Sequence, residues 1–310
     1  MNALNFNKTV LISFPLVIIA IIIYTFITQP KKPTQIDISL LKGNIDNGKN
    51  VFLASGCNSC HTSDGSNNKY LLSGGQKFIT NFGTFVAPNI STSREHGIGS
   101  WSFSDFYNSI KFGQSPSGKH YFPAYPYNSY QHMHDEDIYD LWTFWKTLPS
   151  DETPSQIHDL FFPFNFRRNI GIWKTFFMKD NYFDQKLDRS TYLVEALGHC
   201  AECHTPRNYI GSLKKSEWMR GGINPSGKGK IPSIHPSDLK WTKDEIVEYL
   251  SSGFTPDYDM VGGKMASVVE NISQLSDLDR ELIADYLLSL IHISEPTRRT
   301  PISYAVFCLK

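Results

Sequence analysis

A spare thiol is nearly absent from this chain of 310 residues: four of its five cysteines fall into two short motifs, and only Cys308 stands apart. Charge of one sign is absent too. Thirty Lys and Arg balance thirty Asp and Glu, and no basic run breaks that balance, so nucleic acid is excluded as a partner. Few windows alternate apolar and polar residues at the period of a strand, which argues for a mainly helical class. A long uncharged apolar run occurs in one place, Val10 to Ile27. The length corresponds to about two domains.

What is present decides more. The pentapeptide Cys-x-x-Cys-His occurs at Cys57, Cys60 and His61 and again at Cys200, Cys203 and His204. That spacing reads as c-type haem attachment, in which two thiols bond the haem's vinyl groups and the adjacent histidine coordinates iron. Cys-x-x-Cys alone also serves zinc ribbons, thioredoxin-like redox sites and disulfides. A zinc ribbon would spend all four cysteines on one metal and leave both histidines unexplained. A thioredoxin-like motif belongs near a βαβ pattern, and none is present. Two haem c groups are therefore expected, one held by Cys57 and Cys60 with His61 on its iron, the other by Cys200 and Cys203 with His204.

The ends of the chain carry their own signals. Val10 to Ile27 has about the length that spans a bilayer. Thr28 to Lys32 offer no small-x-small cleavage site, which favours an uncleaved anchor over a signal peptide. Lys31 and Lys32 follow the run while Lys8 alone precedes it, a bias toward the opposite orientation. Covalent haem attachment in bacteria takes place outside the cytoplasmic membrane, and on that ground a single-pass anchor with its globular part in the periplasm is expected. At the other end, Leu288 to Arg298 and Ile302 to Leu309 read as translations of a sequencing adaptor and its primer. Residues from about Leu288 are thus expected to be a library artefact outside the fold. Without them Cys308 drops out and the charge becomes slightly acidic.

Between these ends one all-α unit is used twice. Each copy opens with a short apolar helix leading into its motif, Asn47 to Ser55 and Thr191 to Leu197. Each continues into a tryptophan-led helix, from Trp101 and from Trp241, that reaches a Gly-x-x-Pro turn at Gly113 to Pro116 and Gly253 to Pro256. Each closes with an acidic helix start, Asp135 to Asp137 and Asp277 to Asp279. Those acids complement the helix dipole, and the apolar residues after them recur at helical spacing. Trp101 and Trp241 are read as core residues.

The duplicated unit resembles the class I cytochrome c fold. More narrowly, Gly83 to Ile90, Gly97 to Trp101, Tyr121 to Tyr127, Phe162 to Lys174 and Gly198 to Arg207 resemble the membrane-bound cytochrome subunits of periplasmic dehydrogenases, notably the cytochrome c subunit of alcohol dehydrogenases. The resemblance runs from about Gly48 to Leu287. It departs in one respect, since those alcohol dehydrogenase subunits carry three haems and this chain has two motifs. The implied architecture is all-α, two tandem class I cytochrome c domains after an N-terminal transmembrane helix. Residues 1–35 form the anchor and tether, 36–150 the first domain, 151–187 an aromatic-rich linker, 188–287 the second domain and 288–310 the artefact. The linker's rings are expected to pack between the two domains, and Arg167, Arg168 and Arg207 either pair with haem propionates or are solvated.

A class I haem takes histidine on one side and usually methionine on the other. Met133 is the one methionine between Met1 and Met178 and precedes the closing helix, where the fold places its axial sulfur; His120, His132 and His134 are its rivals. In the second unit Met219, Met260 and Met265 compete, and Gly262 to Ala266 matches the axial-methionine segment of the resembled family, which selects Met265. With both irons ligated on both sides, the expectation is outer-sphere electron transfer and no enzymatic activity. The chain would relay electrons from a periplasmic dehydrogenase to a terminal oxidase, another cytochrome or a quinone. The rival is a haem enzyme with an open or unusual axial site, of peroxidase or thiosulfate-dehydrogenase type. The lack of a third ligand-capable cysteine in each unit argues against its cysteine-ligated form.

Overall fold

Helix ends are set by the side chains standing at them. Ser102 opens the Phe103–Phe112 helix, its hydroxyl accepting from Asp105 N at 3.2 Å while the Asp105 carboxylate accepts from Ser102 N at 2.9 Å. Thr242 opens the Lys243–Ser252 helix by the same reciprocal bonds with Glu245, at 3.3 and 2.7 Å. Each box satisfies two backbone donors that a helix start otherwise leaves open. Both helices stop at glycines of positive φ, Gly113 at 54° and Gly253 at 81°, where a side chain would be strained. The helices led by Trp101 and Trp241 thus share both their starting and their stopping geometry.

The computed structural model describes residues 3–30, 33–39, 41–178 and 187–290, and the described chain is mostly helical. In the first half the Ile45–Ala54 helix packs along the Asp135–Trp145 helix. Their approach is so close that a Cβ on Gly48 would lie 2.1 Å from the Asp140 carbonyl oxygen. Phe52, fully buried, meets Phe144 and Trp145 at ring distances of 5.3 and 5.8 Å, a burial that contributes roughly 1.5–3 kcal/mol. In the second half the Asp277–Ser289 helix packs on the Tyr192–Leu197 and Lys243–Ser252 helices. Buried residues of both halves belong to one continuous hydrophobic cluster, with Trp101 and Trp241 packed against it.

Short strands add what periodicity does not reveal. Lys77–Thr80, Gly83–Val86 and Asp159–Leu160 form an antiparallel sheet, with Phe78 opposite Phe85 and Gly83 opposite Leu160. Gly222–Ile223 pairs with Lys230–Ile231. Elements this short carry too few residues for a period of two to register.

Three expectations need revision. Ala3–Ile27 is a 25-residue helix with Pro15 inside it, yet among the described residues no helix is long and apolar enough to cross a membrane. This overturns the localisation expected from a single-pass membrane anchor over Val10 to Ile27. The helix end is instead engaged by the rest of the chain. Tyr24 Oη donates to Asn169 Oδ1 at 2.8 Å, Arg168 Nε donates to Thr28 Oγ1 at 2.8 Å, and Thr28 is fully buried.

The linker does join the halves, through Trp173 Nε1 donating to the Ile210 carbonyl at 3.1 Å and Lys174 Nζ donating to the Gly113 carbonyl at 2.8 Å. Its phenylalanines do not fill the junction. Phe161, Phe162, Phe164, Phe166 and Phe176 are all exposed. At the C-terminus, the closing helix continues past Leu287 to Ser289 and Leu290 is buried. The remainder of the expected artefact, 291–310 with Cys308, lies outside the described residues.

Candidate functional site

Each pentapeptide forms one helical turn, Cys57–His61 and Cys200–His204, entered from a left-handed residue, Gly56 at φ 62° and His199 at φ 40°. The glycine adopts that conformation freely, whereas the histidine does so at some cost. Its ring is held in place, with Nε2 3.4 Å from the Ser55 carbonyl oxygen and an edge contact to Tyr130 at 5.4 Å.

Both motif histidines are oriented the same way. His61 Nδ1 lies 2.9 Å from the Pro88 carbonyl oxygen and His204 Nδ1 lies 2.8 Å from that of Pro232. A carbonyl only accepts, so Nδ1 carries the hydrogen in each ring and Nε2 keeps its lone pair. Desolvation pushes His61 down to about 4, against the Pro88 bond, and lowers His204 as well. Both rings are neutral near pH 7, the form that binds a metal.

Glycines hold the histidines' own backbone carbonyls and lie close against those of the prolines. Gly74 N donates to the His61 carbonyl at 2.7 Å and Gly221 N to that of His204 at 2.6 Å. A Cβ on Gly74 would stand 2.4 Å from the Pro88 carbonyl carbon, and one on Gly221 would stand 2.7 Å from that of Pro232. Sequence reasoning missed these four residues. The signal was there in the doublets Gly74-Gly75 and Gly221-Gly222 and in prolines 27 and 28 residues after the motif histidines.

Cys57, Cys60 and Cys200 are half-buried, Cys203 is exposed, and all four thiols are unpaired. Desolvation, then the neighbouring Cys60, pushes Cys57 up to about 12, and desolvation with Glu195 and Cys203 does the same to Cys200. Cys60 rises to about 11 through desolvation and the nearby Cys203, with Lys264 pulling the other way. Nucleophilic redox thiols show the opposite shift. Among the described residues no group of three or more His, Cys, Asp or Glu converges as a metal site.

The methionines occupy unlike settings. Met133 is almost fully buried in the turn before Asp135, its N–H donating to Tyr130 O at 3.0 Å and its carbonyl accepting from Lys111 Nζ. Tyr130 Oη donates to the Ser55 carbonyl at 2.8 Å, which ties that turn to the entrance of the first motif. Among its rivals, His120 is bonded to the Thr28 carbonyl and His134 is stacked on Tyr192. Met265 lies in the first turn of the Lys264–Ile272 helix, packed against the core. That helix rests on the first motif's turn. Met260 is exposed, while Met219 is fully buried, with φ 55° and its carbonyl accepting from Ile234 N at 2.9 Å. Arg207 is paired with Glu202, and the Arg167 guanidinium lies 5.0 Å over the Phe122 ring.

Comparison with known proteins gives this geometry a family. The family described as cytochrome c matches residues 45–149, and a diheme cytochrome c-type protein of Cereibacter sphaeroides is 46% identical over 279 residues, covering 88% of this chain and 94% of that one. The chain belongs to the cytochrome c family. This cytochrome is also 31% identical to the fructose dehydrogenase cytochrome subunit of Gluconobacter japonicus, over 84% of the chain and 55% of the relative. It is 30% identical to the cytochrome c subunit of a quinone alcohol dehydrogenase of Gluconobacter oxydans, over 81% and 55%. The cytochrome therefore spans about half the length of those dehydrogenase subunits. Family membership implies covalently bound haem c, and the residues present fit it: unpaired thiols beside a histidine whose Nε2 is left free.

Proposed function

We propose that this cytochrome is an electron carrier built as two tandem class I domains, 36–150 and 188–287, joined by 151–187, each holding one haem. Cys57 and Cys60 attach the first and Cys200 and Cys203 the second. His61 and Met133 are the axial ligands of one iron, His204 and Met265 those of the other. The bound haem supplies a one-electron couple; the protein supplies burial, ligands and spacing. The observation that carries this reading is the doubled imidazole-to-carbonyl bond, which leaves the Nε2 lone pair of both motif histidines available.

The role is a relay rather than catalysis, from a dehydrogenase, by kinship with cytochrome subunits of dehydrogenases, to a respiratory acceptor such as an oxidase, another cytochrome or a quinone. Haem staining after denaturing electrophoresis should mark the chain, and haem-to-protein quantitation should give two per chain. Met133→Ala and Met265→Ala should each remove about half of the red-region band of methionine-ligated ferric haem. Fast cyanide or carbon monoxide binding to the untreated protein would instead indicate an open iron and a haem enzyme.

A further inference from the structure

The helix that carries Met265 is fastened to the other half of the molecule. Lys264–Ile272 starts after Gly263 with no side-chain cap, and around Gly262 and Gly263 there is open space. Its apolar residues Val269 and Ile272 are buried, which keeps the helix on its core but leaves sliding and rotation to be stopped by directional bonds. Among the described residues, the bonds made by this helix's side chains lead to the first half. Lys264 Nζ donates to Gln76 Oε1 and lies 5.1 Å over the Phe78 ring. Gln76 is itself anchored by its Nε2, which donates to the Thr62 carbonyl next to His61 at 2.6 Å. Glu270 pairs with Lys69 at 3.0 Å, an exposed contact of little weight.

The strongest tie is at the far end. Asn271 and Asn58 exchange two amide hydrogen bonds, 2.9 and 2.6 Å, and Asn271 Nδ2 also lies 3.0 Å from Ser59 Oγ. Both asparagines are buried, Asn58 7% and Asn271 2% exposed, so truncating either leaves the other's amide unsatisfied away from water. We infer that Asn58, a variable residue of the first Cys-x-x-Cys-His, is a positioning residue for the second iron's methionine, acting through Asn271 on the helix that presents Met265. This rests on the proposed assignment of Met265.

The test measures the red-region band and the cyanide-binding rate of the holoprotein, with haem content as the control for folding. On a Met133→Ala background, where the surviving band belongs to Met265, adding Asn58→Ala should weaken that band and speed cyanide binding on the order of tenfold, the effect of a coupling of ordinary size between residues in contact. On a Met265→Ala background, where the surviving band belongs to Met133, Asn58→Ala should change neither quantity. Asn271→Ala should reproduce Asn58→Ala, and the double variant should be no worse than either single one. Equal effects on both backgrounds, or none on either, would overturn the proposal. If Met265→Ala alone leaves the spectrum unchanged, the ligand assignment fails instead, and that result is separate from the asparagine readout.

Discussion

Tyr192 lies flat on His134, ring centroids 4.1 Å apart and planes within 5°. Its hydroxyl donates to Asp137 Oδ2 at 2.6 Å and accepts from His134 N at 3.1 Å. One side chain from the start of the second half thus caps the closing helix of the first, whose His134 makes no capping bond of its own. Tyr192→Phe keeps the stack and deletes the hydroxyl. It should cost about 1 kcal/mol, the net worth of hydrogen bonds to the half-buried Asp137 and His134, read as a lower denaturation midpoint. An unchanged midpoint would show that the cap contributes nothing.

Gly74→Ala and Gly221→Ala each place a methyl group against the carbonyl that orients a motif histidine. Each should reduce covalently bound haem from two per chain toward one, measured by haem-to-protein ratio. Gly65→Ala has a similarly positive φ of 79° but meets nothing within 4 Å. It should cost only the local backbone strain, about 1 kcal/mol, and leave haem content intact. Equal loss in all three variants would assign the effect to strain rather than to the histidine–proline contact.

Glu195 is buried at the second core, accepting from Trp218 Nε1 at 3.0 Å and from Tyr286 Oη. Burial raises its carboxyl from 4.5 to about 7 against those two bonds. The folded state therefore binds this proton more tightly than the unfolded one. Its stabilising contribution is complete below pH 4.5 and declines as pH rises through 7, by on the order of 3 kcal/mol. Glu195→Gln should remove that decline, so the variant gains on the parent between pH 5 and pH 8. A stability difference that stays flat over this range, in unfolding experiments, would contradict the buried carboxyl.

Ser102→Ala and Thr242→Ala each break a capping box. About 1 kcal/mol should be lost in each case, measured by thermal or denaturant unfolding. Because the two helices start distant boxes of the same kind, the double variant should lose close to the sum.

Much of this molecule was legible in the chain because its signals are local. Cys-x-x-Cys-His, the helices led by Trp101 and Trp241, the turns from Gly113 and Gly253 and the acid-led closing helices are all written within about four residues, the reach of a helical turn. The apolar run at Val10 to Ile27 was equally visible and misled: it is helical, with Phe14, Leu16, Val17 and Phe26 exposed, yet among the described residues no helix is long and apolar enough to cross a membrane. The linker phenylalanines misled in the same manner: ring content does not encode which side faces out.

By itself, then, the sequence determined the mainly helical class, the two Cys-x-x-Cys-His motifs that mark a cytochrome c and the short list of methionines from which the proposed ligands are drawn. Only the tertiary structure decided that Pro88 and Pro232 orient the two histidines, that Glu195 is buried against Trp218 and Tyr286, and that Asn58 meets Asn271. Those partners stand from 23 to 213 residues apart along the chain, beyond any local period. Their meeting is a property of how the helices pack, and packing is settled by the whole core at once.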